Sequence, residues 1–78
     1  MTEKAKYAVI LVYSISHAIR IETVLKKAGI RAKLIPTPRH LSSDCGSAVR
    51  VPIDDKTRCE GLIAEGKIEH QNIVDLDR

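Results

Sequence analysis

The sequence predicts an α+β fold whose strands and helices follow in the order β-α-β-β-α-β. Two amphipathic helical patterns alternate with short apolar segments, rich in β-branched residues, that suit strands better than helices. Prolines and glycines stand between these segments, where strands and helices end. Two right-handed β-α-β crossovers would place both helices on one face of a four-stranded antiparallel sheet, which is the ferredoxin-like sandwich.

The first strand and the first helix have the clearest patterns. Residues 7–13 form an uninterrupted apolar run, typical of a central strand that is covered on both faces. A turn over residues 14–17 follows, and a serine hydroxyl of this turn is suited to cap the helix. From Ala18 to Ala28 apolar residues recur every three or four positions, and Gly29 is placed to end the helix.

The later elements are shorter. They are a strand over residues 31–36 that ends at Pro36 and Pro38, a strand over 47–53, a helix with Cys59, Leu62 and Ile63 on its apolar face, and a strand over 71–76. Asp54 or Asp55 is placed to cap the second helix. If both helices cover one face of the sheet, the other face of the apolar first strand needs a cover too, and a second copy of the chain is the simple candidate. The sequence therefore predicts a homodimer through the open sheet face.

Length and composition restrict the class of protein. We expect a single domain over residues 1–78, because the chain is too short for two, with an ordered core from about 6 to 76. A chain of this length buries only about 60% of its unfolded surface, so its core is thin. Two cysteines are far fewer than a disulfide-stabilised secreted scaffold uses, so we expect a reduced, cytoplasmic protein. The longest apolar run is too short to cross a bilayer of about 30 Å as a helix, so no membrane association is expected.

The charge pattern does not suggest a nucleic-acid-binding protein. The formal net charge is +3, and the basic residues are scattered among acidic ones without a block of like charges. The aromatic residues are Tyr7 and Tyr13, which is a poor supply for stacking bases. We therefore expect no nucleic-acid partner.

The functional prediction centres on the polar loop over residues 38–46, which carries Cys45. The first two strands of the predicted sheet run parallel, so this loop and the turn over residues 14–17 should be neighbours. The N-terminus of the first helix lies there, and its unpaired N–H groups favour an anion such as a thiolate. Cys45 is thus the candidate nucleophile, because cations and N–H groups lower the pKa of a thiol.

The candidate binding residues around this thiol come from three segments. They are Arg39, Ser43 and Gly46 in the loop, Ser16 and His17 in the turn, and Arg50 after the loop. Asp44 opposes ionisation unless its carboxylate points away from the sulfur. Cys45 as a small turn residue without a chemical role remains an alternative, whereas Cys59 is expected to be buried packing.

Metal and catalytic signatures are weak. The two cysteines and three histidines lack the close ligand pairs of zinc sites, so we expect no metal and no other cofactor. A Cys-His catalytic arrangement is conceivable, yet 78 residues leave little room for a substrate pocket. An enzyme is therefore the least favoured interpretation.

Several residues resemble those of a known family. The pattern Pro38-Arg39-x-x-Ser42-x-x-Cys45-Gly46, with Ala18, Glu22 and Gly29 in and after the first helix and Ala48-Val49-Arg50 after the loop, looks like the DUF3343 family of selenium/sulfur carrier-like domains. The resemblance covers about residues 6–76, and its specific part is the cysteine pattern.

The resemblance implies a carrier role for Cys45. Its thiolate would accept sulfane sulfur or selenium from a donor such as a cysteine desulfurase and pass it to an acceptor protein. The alternative hypothesis is a ferredoxin-like regulatory or binding module for a small anion or a protein partner, in which Cys45 is incidental. Fold alone does not decide between them.

Overall fold

The computed structural model describes residues 6–38, 41 and 46–76. Its elements are β1 (Tyr7–Leu11), α1 (Ile15–Lys27), β2 (Lys33–Pro36), β3 (Ser47–Pro52), a 3-10 turn (Ile53–Asp55), α2 (Lys56–Glu65) and β4 (Asn72–Leu76). The predicted order and the α+β fold are confirmed. Each strand is one or two residues shorter than predicted.

The strands form one antiparallel sheet in the order β2-β3-β1-β4, so β2 and β4 are the edges. Leu11, the last residue of β1, lies opposite Ala48 near the start of β3, and Ile35 near the end of β2 lies opposite the same Ala48. The C-terminal ends of β1 and β2 therefore meet at one end of the sheet. We call it the loop end, because the connection that carries Cys45 leaves and re-enters the sheet there.

Helix α1 ends as the glycine predicted. Gly29 has a φ of 85°, in the left-handed region that glycine tolerates best. Its N–H donates to the carbonyl of Lys26 at 3.0 Å, and the N–H of Ile30 donates to that of Leu25 at 3.0 Å. This pair of bonds is a Schellman motif, and the buried Ile30 side chain completes it. The stop fixes where the chain turns from α1 towards β2.

The predicted side-chain caps are absent at both helix starts. Ser14 and Asp55 occupy the N-cap positions of α1 and α2, but neither side chain accepts a hydrogen bond from the first helical turn. The Ser14 hydroxyl instead contacts Nδ1 of His17 at 3.3 Å. The prediction of hydroxyl capping is therefore wrong for Ser14, because the imidazole competes with the backbone for the same oxygen.

Both helices pack on the same face of the sheet, as the sandwich requires. The buried cluster there joins residues of the strands, of α1 and α2 and of the connections next to them: Ala8, Ile10, Val12, Ala18, Ile21, Leu25, Ile30, Ala32, Val49, Val51, Cys59, Ile63 and Ile68. The three-four spacing of the α1 members is the apolar stripe seen in the sequence.

The opposite face of the sheet has its own small cluster. Val9, Leu11 and Ala48 are at most 4% exposed there, and Leu41 from the β2–β3 connection packs against them. The prediction that β1 is covered on both faces is therefore confirmed within a single chain. Burial of the strand does not by itself require a second subunit, and the homodimer stays a prediction.

Candidate functional site

Three connections meet at the loop end of the sheet. The β1–α1 connection begins after Leu11, and the β2–β3 connection runs from Pro36 to Ser47. The segment before β4 arrives at the same place, since Asn72 lies opposite Leu11 and the N–H of Gln71 donates to the Leu11 carbonyl at 2.6 Å. The loop end therefore gathers segments that are distant in sequence.

The β2–β3 connection is closed at its base. The N–H of Thr37 donates to the carbonyl of Gly46 at 2.9 Å, and the N–H of Leu41 donates to that of Pro38 at 3.0 Å. The half-buried Leu41 side chain anchors the connection on the helix-free face. Gly46, one of the predicted binding residues, is exposed and follows Cys45 directly in the chain.

Cys45, Arg39 and Ser43 lie outside the described residues. Their roles as nucleophile and binding groups remain predictions. The structure fixes the two ends of the β2–β3 connection at the end of the sheet from which the β1–α1 connection leaves. The sheet register places the ends of this connection and the end of β1 at the same end of the sheet, and the contact of the loop with the turn over residues 14–17 stays a prediction.

The start of α1 supplies the polar groups that the sequence predicted for this end. Ser16 is exposed in the first helical turn, and that turn contains no acidic residue to offset the partial positive charge of its N–H groups. His17 is partly exposed, with Nδ1 beside Ser14 and Nε2 3.9 Å from the carboxylate of Glu69. Both ring nitrogens of His17 thus face a side-chain partner.

Glu69 is a residue of this end that sequence reasoning missed. It belongs to the segment before β4, far from His17 in the chain. The predicted topology could have located it, because a strand antiparallel to β1 must begin where β1 ends, and Glu69 lies just before that strand. The Glu69 carboxylate adds a negative charge to this end of the sheet, beside His17.

Arg50 points away from the loop end. Its guanidinium carbon lies 4.4 Å from the centroid of the Tyr7 ring, a cation–π contact on the helix-free face. Tyr7 is the first residue of β1 and lies opposite Pro52, the last residue of β3. The structure therefore brings Arg50 towards the opposite end of the sheet, and no contact joins it to the part of the loop that the structure describes.

The second cysteine is packing, as predicted. Cys59 is fully buried on α2, among the side chains shared by the helices and the sheet. Burial in this apolar site raises the pKa of its thiol to about 11, and the nearby Asp55 carboxylate adds to the shift. Cys59 is therefore protonated and shielded from reagents near neutral pH.

Three apolar side chains stand exposed beside the loop end. Tyr13 is 50% exposed in the β1–α1 connection, and Ile15 and Ile19 are 44% and 49% exposed on consecutive turns of α1. We call these three residues the apolar patch. Side chains of this kind beside a polar loop are suited to contact another protein.

The described residues contain no helix long and apolar enough to span a membrane. Among the same residues no three His, Cys, Asp or Glu side chains are grouped as metal ligands.

The family model described as "Putative Se/S carrier protein-like" matches residues 6–75, nearly the whole chain, including the cysteine-bearing connection. No curated protein and no solved structure gave a significant match.

Proposed function

Because the chain belongs to the Se/S carrier-like family, we propose that it carries sulfur or selenium on Cys45. The match over residues 6–75 is the observation on which this proposal rests. The support from the structure is indirect: the ends of the connection that carries Cys45 are held together, at the end of the sheet from which the β1–α1 connection leaves. Neither a bound cofactor nor a substrate pocket at the thiol is needed for this chemistry.

The proposed reaction is a thiol exchange without net oxidation. The Cys45 thiolate attacks the outer sulfur of a donor persulfide, so that a new S–S bond forms at Cys45 and the S–S bond of the donor breaks. The donor leaves as a thiolate with the electron pair of the broken bond, and Cys45 becomes the persulfide. A thiolate of the acceptor then repeats the exchange. A selenosulfide donor would react in the same way.

In this proposal the surroundings of Cys45 stabilise anions. Arg39 in the loop and the unpaired N–H groups at the start of α1 would favour the thiolate over the thiol. Ser16, Ser43 and the Gly46 backbone would offer hydrogen bonds to the terminal sulfur. We assign His17 no proton transfer, because Ser14 and Glu69 already face its two ring nitrogens.

Intact mass measured after incubation with a cysteine desulfurase and cysteine tests the proposal. The native chain should gain one sulfur atom, and a thiol reductant should remove it, as expected for a persulfide. Cys45→Ser should gain none, whereas Cys59→Ala should behave as the native chain because Cys59 is buried. Alanine is the better control than serine at Cys59, since it buries no hydroxyl. Persistence of the adduct in Cys45→Ser, or no adduct on the native chain, would contradict the carrier role.

We expect the donor protein to bind to the apolar patch. A double variant, Ile15→Ser with Ile19→Ser, should slow the gain of sulfur about tenfold, because it removes two exposed contacts from a protein interface. Its reaction with iodoacetamide should be unchanged, since no thiol is altered. Thr23→Ala, another exposed position on α1, is the control variant. Equal slowing in the control, or no slowing in the double variant, would show that the patch has no docking role.

A further inference from the structure

The opposite end of the sheet contains a concavity that the carrier chemistry does not use. It has a volume of about 620 Å³, within the usual range for small-ligand sites. The start of β1, the start of β2, the end of β3 and the last turn of α1 surround it. Because β1 and β2 begin here and end at the loop end, the concavity is separated from the ends of the β2–β3 connection by the length of the strands.

The charge of this concavity is strongly one-sided. Its lining includes five basic residues, Lys6, Lys26, Arg31, Lys33 and Arg50, and no acidic residue among the part of the chain that the structure describes. Lys26 is 3.5 Å from Glu22, and that carboxylate also accepts the N–H of Leu34 at 3.1 Å. Within the described residues the other four form no ion pair. Several positive charges therefore converge with little local compensation.

The sheet register places two of these basic residues next to each other. Lys33 and Arg50 lie directly opposite each other on β2 and β3, and paired residues project from the same face. Like charges in that position destabilise a sheet. The Arg50 guanidinium lies over the Tyr7 ring, on the side of β3 away from Lys33, and an anion bound at this end of the sheet would offset both positive charges.

We propose that this basic concavity is a second binding site, for a small anion that bears two or more phosphate groups. The guanidinium groups of Arg31 and Arg50 suit phosphate oxygens through paired hydrogen bonds, and the lysines add point charges. A linked pair of phosphates concentrates enough negative charge in a small volume to contact several of the five cations. The site goes beyond the proposed carrier function and does not depend on it.

The aromatic content of the concavity favours a small ligand over single-stranded nucleic acid. Such strands are held by a groove with successive aromatic platforms. Here Tyr7 is the one aromatic residue in the described lining, and the Arg50 guanidinium already lies over its ring. The other tyrosine, Tyr13, follows β1 at the loop end.

Calorimetric titration of the full chain with sodium pyrophosphate tests the site. We expect one saturable binding event, together with a rise in the melting temperature, because a ligand that binds only the folded state stabilises it. The double variant Arg31→Gln with Lys33→Gln should weaken binding about 100-fold, about tenfold for each lost charge-assisted contact. Both positions are exposed, and a thermal melt of the unliganded variant verifies that it folds.

The matched control removes the same net charge elsewhere. Arg20→Gln with Lys27→Gln alters two exposed basic residues of α1 that do not line the concavity, and it should change affinity less than about threefold at ionic strength near 0.1 M. Equal weakening in the two double variants would mean that binding depends only on the net charge of the protein, and it would overturn the proposal. So would tighter binding of citrate, tighter binding of a single-stranded oligonucleotide, or no pyrophosphate binding at millimolar concentration.

Discussion

Near neutral pH, Cys59 is expected to react with iodoacetamide at least about 100-fold more slowly than an ordinary exposed thiol. Its pKa of about 11 compares with about 8.5 for a free cysteine, which lowers the thiolate fraction about 300-fold. Full burial of the side chain adds a steric barrier. If Cys45 is the carrier thiol, it should react at least as fast as free cysteine.

Two single-cysteine variants separate the two rates. Cys59→Ala reports Cys45, and Cys45→Ser reports Cys59. Raising the pH should accelerate labelling in Cys45→Ser up to about pH 11, whereas the rate in Cys59→Ala should level off at a lower pH. Slow labelling of both thiols near neutral pH would favour the binding-module hypothesis, in which Cys45 is incidental. Fast labelling of Cys59 would show that the packing around α2 opens readily.

Leu25→Ala is expected to lower the free energy of unfolding by about 2–5 kcal/mol. Leu25 is fully buried on α1 within the cluster that joins both helices to the sheet, so truncation leaves a cavity. Alanine is an excellent helix former, and the loss therefore reflects packing rather than helix propensity. A domain of this length has a free energy of unfolding of about 4–12 kcal/mol in total, so the variant should be close to unfolding.

Urea denaturation followed by circular dichroism measures this loss. Ile19→Ala on the same helix is the control, because that side chain is 49% exposed and its truncation should change stability by less than about 0.5 kcal/mol. Similar losses in the two variants would mean that α1 does not pack on the sheet through the face described above. The two variants together therefore test whether α1 packs on the sheet through its buried face.

The two ends of the sheet have different chemistry. The loop end joins the Cys45 connection to a helix start and the apolar patch, whereas the opposite end gathers basic residues around a concavity. The strands between them separate the ends of the β2–β3 connection from the proposed anion site. A change at one end should therefore leave the other intact, which makes the carrier and anion-binding experiments independent.

The sequence by itself determined the order of elements and most of their contacts with the core. The stripe that runs through Ala18, Ile21 and Leu25, the stop at Gly29 and the buried Cys59 were all predictable, because helical periodicity and turn chemistry act between near neighbours in the chain. The strand ends were less accurate. Pairing requires a partner at each position, and β1 stops at Leu11 although the apolar run continues to Tyr13.

Only the tertiary structure decided which distant side chains meet. The basic residues look scattered in the sequence, yet the strand order brings Lys33 and Arg50 side by side and closes the concavity around them. In the same way it brings Glu69 to His17 and turns Arg50 away from the loop. Charge acts through space, so its clustering depends on strand order and register, which local sequence patterns do not encode.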